Sequence, residues 1–333
     1  MGEITVKETK KEHYVPQCYL ERWKNSKGYV AVYDKKLKMF RGNNIKDIAC
    51  ERYYYDIDYR ELSAQKLALL RELGIEPTKD EQFVEHFLSE HVEGVYSQLL
   101  KKVLDREISP WYEKNCFFLS QEDKIDFAIC IAFQYIRTKE TRRMLSDMSN
   151  CLEQAFKAMN IPNEMAEKYR LHSGEEKNIQ GNMLLDIEHI LDLTRSFFSL
   201  TWVLGINKTT KSFYTSDNPI GTKAHVKNPY ISMSGIRSEG VEVYLPLSPK
   251  HILIMCDGTY HKELASYDRK YVQVEEEQMV EHYNWYCVNN SNRCIYSEND
   301  NFAVVDRILE DNPNAFEIPK TQLSWGGKTF IPE

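Results

Sequence analysis

Several histidine, carboxylate and arginine side chains in this sequence stand beside turns and at expected element ends, where they could do chemistry. His13 lies in Glu12-His13-Tyr14-Val15-Pro16. The residue before a proline avoids the helical region, so an extended segment is expected there. An imidazole held in it can act as a general base or a metal ligand. The alternative is a structural histidine bonded to backbone near the domain edge. The His-His-x-x-Pro segments of small metal-dependent nucleases are loosely similar, although the first of their histidines is missing here. Asp217 ends an apolar strand within Ser216-Asp217-Asn218-Pro219. A carboxylate at a strand end suits a hard cation such as Mg²⁺; equally, Asp and Asn before proline are plain turn formers.

His86, Glu90 and Glu93 fall at i, i+4 and i+7, one face of an expected helix, as metal ligands or as a solvated face. Val92 and Val95 draw Glu93 toward the core, and Gly94 beside it would allow close backbone approach. Gln134 and Arg137 stand at i and i+3 among Ile131, Phe133 and Ile136. A half-buried guanidinium there needs Glu93, Asp217 or a bound phosphate as partner; the structural alternative is an Arg–carboxylate strut. Tyr244 and Ser248 flank Pro246, and no Gly-x-Ser-x-Gly elbow supports Ser248 as a nucleophile.

The expected assignment is therefore His13, Glu93 and Asp217 as catalytic groups. Glu93 and Asp217 would hold Mg²⁺ or another divalent metal, and Gln17, Gln134, Arg137 and Tyr244 would bind substrate. No Walker loop and no Gly-x-Gly-x-x-Gly is present, so no nucleotide cofactor is indicated.

The elements that must position these groups read as α+β. Tyr29–Tyr33 and Met39–Arg41 read as paired strands and Tyr53–Ile57 as a further strand or extended segment. Apolar residues at helical spacing follow from Asp80 to about Glu107, with Ser109-Pro110-Trp111 as the break. Ser120 and Asp123 imitate a capping box opening a helix to about Met159, with Ile125, Ile129, Phe133 and Ile136 as its buried stripe. Another helix is expected over Ile187–Leu204. Strands are expected at Lys211–Ser216, Val241–Leu245 and His251–Cys256. Residues 275–311 return to helix, with Met279, His282, Tyr283 and Tyr286 inward. Strands at both ends and helices between predict long central helices packed with a mainly antiparallel sheet built from N-terminal and C-terminal strands, in one domain spanning 1–333.

Five segments occur together: His13-Tyr-Val-Pro-Gln17 with Tyr19-Leu20, Glu93-Gly94, Gln134-Tyr-Ile-Arg137-Thr138, Phe213-Tyr-Thr-Ser-Asp217-Asn-Pro219 and Tyr244-Leu-Pro-Leu-Ser248-Pro249. In this arrangement the chain resembles the bacterial domain-of-unknown-function 4238 family, whose hallmark is an N-terminal His-Tyr-Val-Pro motif. The likeness spans residues 13 to about 300. One departure is Arg137-Thr-Lys-Glu-Thr-Arg142, where a proline is expected soon after the Arg-Thr pair. The resemblance implies no established reaction.

The chain has 333 residues, is 42% hydrophobic and carries a formal net charge of −7, which excludes a uniformly basic nucleic-acid coat protein. Residues 1–46 nevertheless hold eleven bases against five acids, leaving −13 for the remainder. Such a segment could attract phosphate locally, or its lysines are solvated rims of strands and turns. Eight cysteines without a Cys-x-x-Cys pair fit reduced thiols in a reducing compartment. No apolar run approaches membrane-spanning length and the first residues lack a secretory core, so a cytoplasmic protein without membrane contact is expected. The leading expectation is a metal-assisted nucleic-acid hydrolase touching its substrate through the basic N-terminal segment, with phage defence as its setting. The alternative is a non-catalytic recognition protein whose polar motifs form a structural network.

Overall fold

The computed structural model describes residues 10–332 apart from 106–108, 110, 112–115, 169, 173, 230, 318–320 and 326. The expected break at Pro110 and the base Lys7 lie outside the described residues.

The N-terminal part alternates short strands with turns: β1 (Lys11–His13), the helical turn α1 (Gln17–Leu20), β2 (Val30–Asp34), β3 (Met39–Asn43) and β4 (Cys50–Arg52). Helices follow as α2 (Ala64–Glu72), α3 (Phe83–Leu88), a π-turn at Ser89–Glu93 and α4 (Gly94–Leu104). After them come α5 (Gln121–Ile136), α6 (Lys139–Ala158), α7 (Asn163–Glu167), α8 (Glu175–Leu184) and α9 (Ile187–Ser199). The C-terminal part holds β5 (Thr201–Asn207), β6 (Thr215–Ser216), β7 (Gly221–Ala224), β8 (Val241–Ser248), β9 (His251–Cys256), β10 (Lys270–Val274), α10 (Glu277–Asn290), β11 (Cys294–Ser297) and α11 (Ala303–Asp311). No helix among the described residues is long and apolar enough to cross a membrane.

The fold is α+β, as expected. The strands form two principal sheets. One, in the order β3-β2-β11-β6, is antiparallel and joins N-terminal to C-terminal strands. The other, β10-β5-β9-β8-β7, draws only on the C-terminal half and is antiparallel except for β10 beside β5. Phe127, Ile131 and Trp202, all fully buried, belong to the main core where α5 meets β5.

Several expected boundaries move, each for a physical reason. The helix expected to run on to Met159 stops at Ile136 and restarts at Lys139. Gln180 donates from Nε2 to both Ile136 O and Thr138 O at 2.8 Å, taking carbonyls that a continuous helix would use itself. The Ser120–Asp123 capping box forms as expected, but Ile125 of the expected stripe is 44% exposed. The helix expected to Leu204 ends at Ser199, because Thr201-Trp202-Val203 enters the middle of a sheet and every β5 residue is buried. A uniformly apolar run does not distinguish these two fates. Only Thr215–Ser216 of the expected 211–216 strand is paired. The strand expected at Tyr53–Ile57 lies instead at Cys50–Arg52, and Tyr53, with φ of 51°, turns the chain away. The helix expected over 275–311 is divided by β11, which pairs with β2, and Met279, expected inward, is exposed, since α10 packs through Val280, Tyr283 and Cys287. Gly94 has open space where a Cβ would stand, so no close approach requires it.

Gly221 does meet such a constraint. A Cβ there would lie 2.0 Å from Cζ of the buried Tyr244. Gly221→Ala is expected to lower stability by about 1–3 kcal/mol, as overpacking does. An unchanged urea midpoint would show that the ring is free to move aside.

Candidate functional site

β1 places three consecutive side chains in three environments. It pairs with β4, His13 opposite Cys50, and Pro16 then starts α1. The His13 ring is buried. Its Nε2–H donates to Ile45 O at 3.3 Å, while Gln17 donates to Nδ1 at 3.4 Å. Burial lowers its pKa, so the neutral ring with its proton on Nε2 suits both contacts.

The carbonyl of His13, rather than its ring, enters the centre of the network. Arg137, at the C-terminal end of α5, is 1% exposed. Its Nη2 donates to His13 O at 2.6 Å and to Glu93 Oε1 at 2.8 Å, and its Nε donates to the Tyr55 hydroxyl at 3.0 Å. Tyr55 in turn donates to His13 O at 3.2 Å. Burial alone would lower the Arg137 pKa; Tyr55, Glu93 and Glu85 outweigh it and hold the guanidinium charged. The π-turn at Ser89–Glu93 carries Glu93 to this point and interrupts the ideal helical face expected for His86, Glu90 and Glu93. His86 pairs instead with Asp80 at 2.6 Å. Gln134, one turn before Arg137, donates to Tyr14 O at 3.3 Å.

Behind the guanidinium lies a group of acids that sequence patterns did not single out. Glu12 is wholly buried and accepts from Tyr55 N at 2.6 Å and Gln82 Nε2 at 2.8 Å. Desolvation pushes Glu12 up to about 8 and Glu85 up to about 7. The neighbouring carboxyls of Asp56 and Glu85 add like charge that favours the protonated form of Glu12. The available signal was Glu12's place in β1, one residue from His13, where strand alternation sends it to the opposite face.

Asp217 is the second centre. It follows β6 and is 1% exposed. Its Oδ1 accepts from Asn292 N at 2.8 Å, and its Oδ2 accepts from Arg293 N at 2.7 Å and Cys294 N at 2.8 Å. Burial raises its pKa, against three backbone donors that favour the anion. Asp217 and Tyr14 line the same inner cleft of about 200 Å³, with Asp34, Arg41, Lys139 and Arg293. Arg293 also lines an adjoining outer cleft of about 370 Å³ with Lys35, Lys36, Lys38, Asn292 and Phe316. A larger cleft of about 570 Å³, bordered by Lys66, Glu175, Asp186 and His189, contains none of the motif residues.

The basic segment is thus divided. Lys11, Arg22 and Lys24 are paired with Asp47, Asp105 and Glu21. Lys35 is buried and donates to Val288 O and Ser291 O at 3.1 and 2.9 Å. Lys36, Lys38 and Arg41 remain along the two clefts.

Of the residues expected to act together, His13, Glu93, Gln134 and Arg137 meet in one network, and Gln17 joins it through the His13 ring. Asp217 stands at the cleft that Tyr14 reaches. Tyr244 lies apart beneath α10, with its ring centroid 5.8 Å from that of Tyr283. For a divalent metal the donor set is unfavourable: Glu93 bonds Arg137, and both oxygens of Asp217 are taken by N–H groups. No three His, Cys, Asp or Glu side chains among the described residues are grouped to hold an ion.

Arg137→Met should leave Glu93 and His13 O without their donor and cost about 3–5 kcal/mol, the usual penalty for breaking one side of a buried pair. A loss within about 0.5 kcal/mol in urea unfolding would show that the network does not hold the fold. The acids give a pH dependence. Between the ordinary glutamate value of 4.5 and about 7 to 8, Glu12 and Glu85 retain protons in the folded chain that the unfolded chain has released. Stability should therefore fall as pH rises through that window. Glu12→Gln should flatten the slope of melting temperature against pH, and an unchanged slope would refute the assignment.

A family model described as "Protein of unknown function (DUF4238)" matches residues 11–301. No curated protein and no solved structure matches the chain. The family match takes in both buried centres and nearly all of the fold around them, and the chain belongs to the DUF4238 family.

Proposed function

We propose that this protein recognises nucleic acid along the groove formed by the two adjoining clefts, with its motif residues acting as the internal lock that shapes it. The observation carrying this reading is the position of Arg293, which lines both clefts. It joins Lys36 and Lys38 on the outer side to Arg41 and Lys139 on the inner. These bases, on the β2–β3 turn, on β3 and at the start of α6 where Lys139 pairs with Glu51, suit successive phosphates, the sequence-independent part of nucleic-acid affinity. Arg137 is not offered as the phosphate clamp, because its bonds run to His13, Tyr55 and Glu93 and no solvent reaches it. All eight cysteines are free thiols, which supports placing this activity in a reducing compartment such as the cytoplasm.

Hydrolysis is a second reading, favoured by one observation: Tyr14 and Asp217, from separate motifs, line the same inner cleft. It requires Asp217 to exchange backbone donors for a metal or a reacting water.

Fluorescence anisotropy with labelled single-stranded and duplex DNA and RNA tests the binding reading. Affinity should fall steeply with salt, and the double variant Lys36→Glu/Lys38→Glu should weaken binding to every sequence alike. Absence of binding at low salt would overturn the proposal. The same oligonucleotides incubated with Mg²⁺, Mn²⁺ or Zn²⁺ should stay intact; cleavage abolished by Asp217→Asn would favour hydrolysis.

A further inference from the structure

Two buried aspartates stand beneath the groove and each organises one of its turns. Asp217 accepts the N–H groups of Asn292, Arg293 and Cys294 between α10 and β11. Asp34, 1% exposed at the end of β2, accepts from Lys36 N at 3.0 Å and Leu37 N at 3.2 Å in the β2–β3 turn. The turns are tied to each other. Arg293 Nε lies 3.0 Å from both Asp34 oxygens and its Nη2 donates to Oδ2 at 2.7 Å. Lys35 N donates to Arg293 O at 2.9 Å. The described residues offer no partner to Arg293 Nη1.

We infer that Asp217 and Asp34 are positioning residues of the groove, holding Arg293 and Lys36 at a fixed separation before a ligand arrives. The inference rests on the nucleic-acid reading and adds the residues that set the groove's geometry. The physical argument has three parts. A carboxylate accepts at two oxygens with several lone pairs, so one aspartate can fasten three consecutive N–H groups without a hydroxyl or water. Backbone donors neither titrate nor change rotamer, so the 292–294 turn is held more firmly than long side chains could hold it. The forked Arg293–Asp34 contact fixes a plane as well as a distance, which a lysine cannot do. Together they leave the Arg293 side chain and the backbone at Lys36 with little ordering to lose on binding, and such preorganisation raises affinity without adding contacts. On this account Asp217 acts through Arg293 and touches no reacting atom.

Two measurements separate the inference from the reading beneath it. Amide hydrogen exchange on the ligand-free protein examines the anchor alone. Asp217→Asn, which replaces one acceptor oxygen with a donor amide, should speed exchange at Arg293 and Cys294, and Asp34→Asn should do so at Lys36 and Leu37. Salt-dependent binding of a single-stranded DNA oligonucleotide examines the consequence. Arg293→Gln, which removes the charge of a half-exposed side chain, should reduce the slope of log K against log salt by about one. Asp217→Asn should reduce it equally, and the double variant Asp217→Asn/Arg293→Gln should fall no further than Arg293→Gln alone, since both act through one contact.

Faster exchange with the wild-type slope retained would overturn the positioning role and leave nucleic-acid recognition standing. Unaltered exchange at 292–294 would overturn it directly. Failure of the wild type to bind DNA would remove both the reading and the inference. If Asp217→Asn does not fold, a wild-type slope for Arg293→Gln is by itself enough to reject the inference.

Discussion

A guanidinium taken wholly out of water must be supplied with acceptors, and Arg137 meets that requirement from three distant parts of the chain. His13 contributes a carbonyl, Tyr55 a hydroxyl and Glu93 a carboxylate. Satisfying one side chain thus fixes β1, the segment after β4 and the π-turn against the end of α5. The break between α5 and α6 belongs to the same arrangement. Gln180 takes the carbonyls of Ile136 and Thr138, on either side of Arg137, and α8 comes with it.

Once β1 is held there, the side chains of its last two residues and of Tyr14 just after it go to separate places. Glu12 is carried into the acid pocket, the His13 ring to Ile45 and Tyr14 to the inner cleft. The motif is therefore a piece of architecture whose consecutive residues serve the core, the strand pairing and the groove. The raised pKa of Glu12 follows from the same packing. Its carboxyl is enclosed beside an arginine already bonded to Glu93, and the nearby Lys177 donates to Tyr53 O.

Asp217 answers the corresponding problem for a buried anion with backbone N–H groups instead of a cation. Its charge is spread over three fixed dipoles, and the turn they belong to carries Arg293 to the surface. The N-terminal surplus of bases is divided by the fold in a comparable way. Some are neutralised by nearby acids, Lys35 is buried on carbonyls, and Lys36, Lys38 and Arg41 remain at the clefts. Net charge says little about such a surface, because pairing distance decides which charges stay available.

Local chemistry was legible where it depends on neighbours in sequence. The α+β class, the capping box at Ser120, the paired strands β2 and β3, strand β9 and the need of Arg137 for a partner, with Glu93 as one of three candidates, all rest on periodicity, turn residues or the cost of an unpaired buried charge. Residues 200–204 were not legible, since an apolar run suits a buried helix as well as a central strand and the partner strands lie far away in sequence. Nor were Glu12, Tyr55 and Gln82 as parts of the Arg137 network, or Asn292–Cys294 as the partners of Asp217. Those contacts span roughly 40 to 125 residues, and the Asp217 contacts are made to main-chain N–H groups, which every non-proline residue carries alike. The sequence by itself determined which groups were costly to bury and so had to be satisfied; tertiary structure alone decided which distant atoms satisfied them, because hydrogen bonding depends on position in space and leaves no periodic trace along the chain.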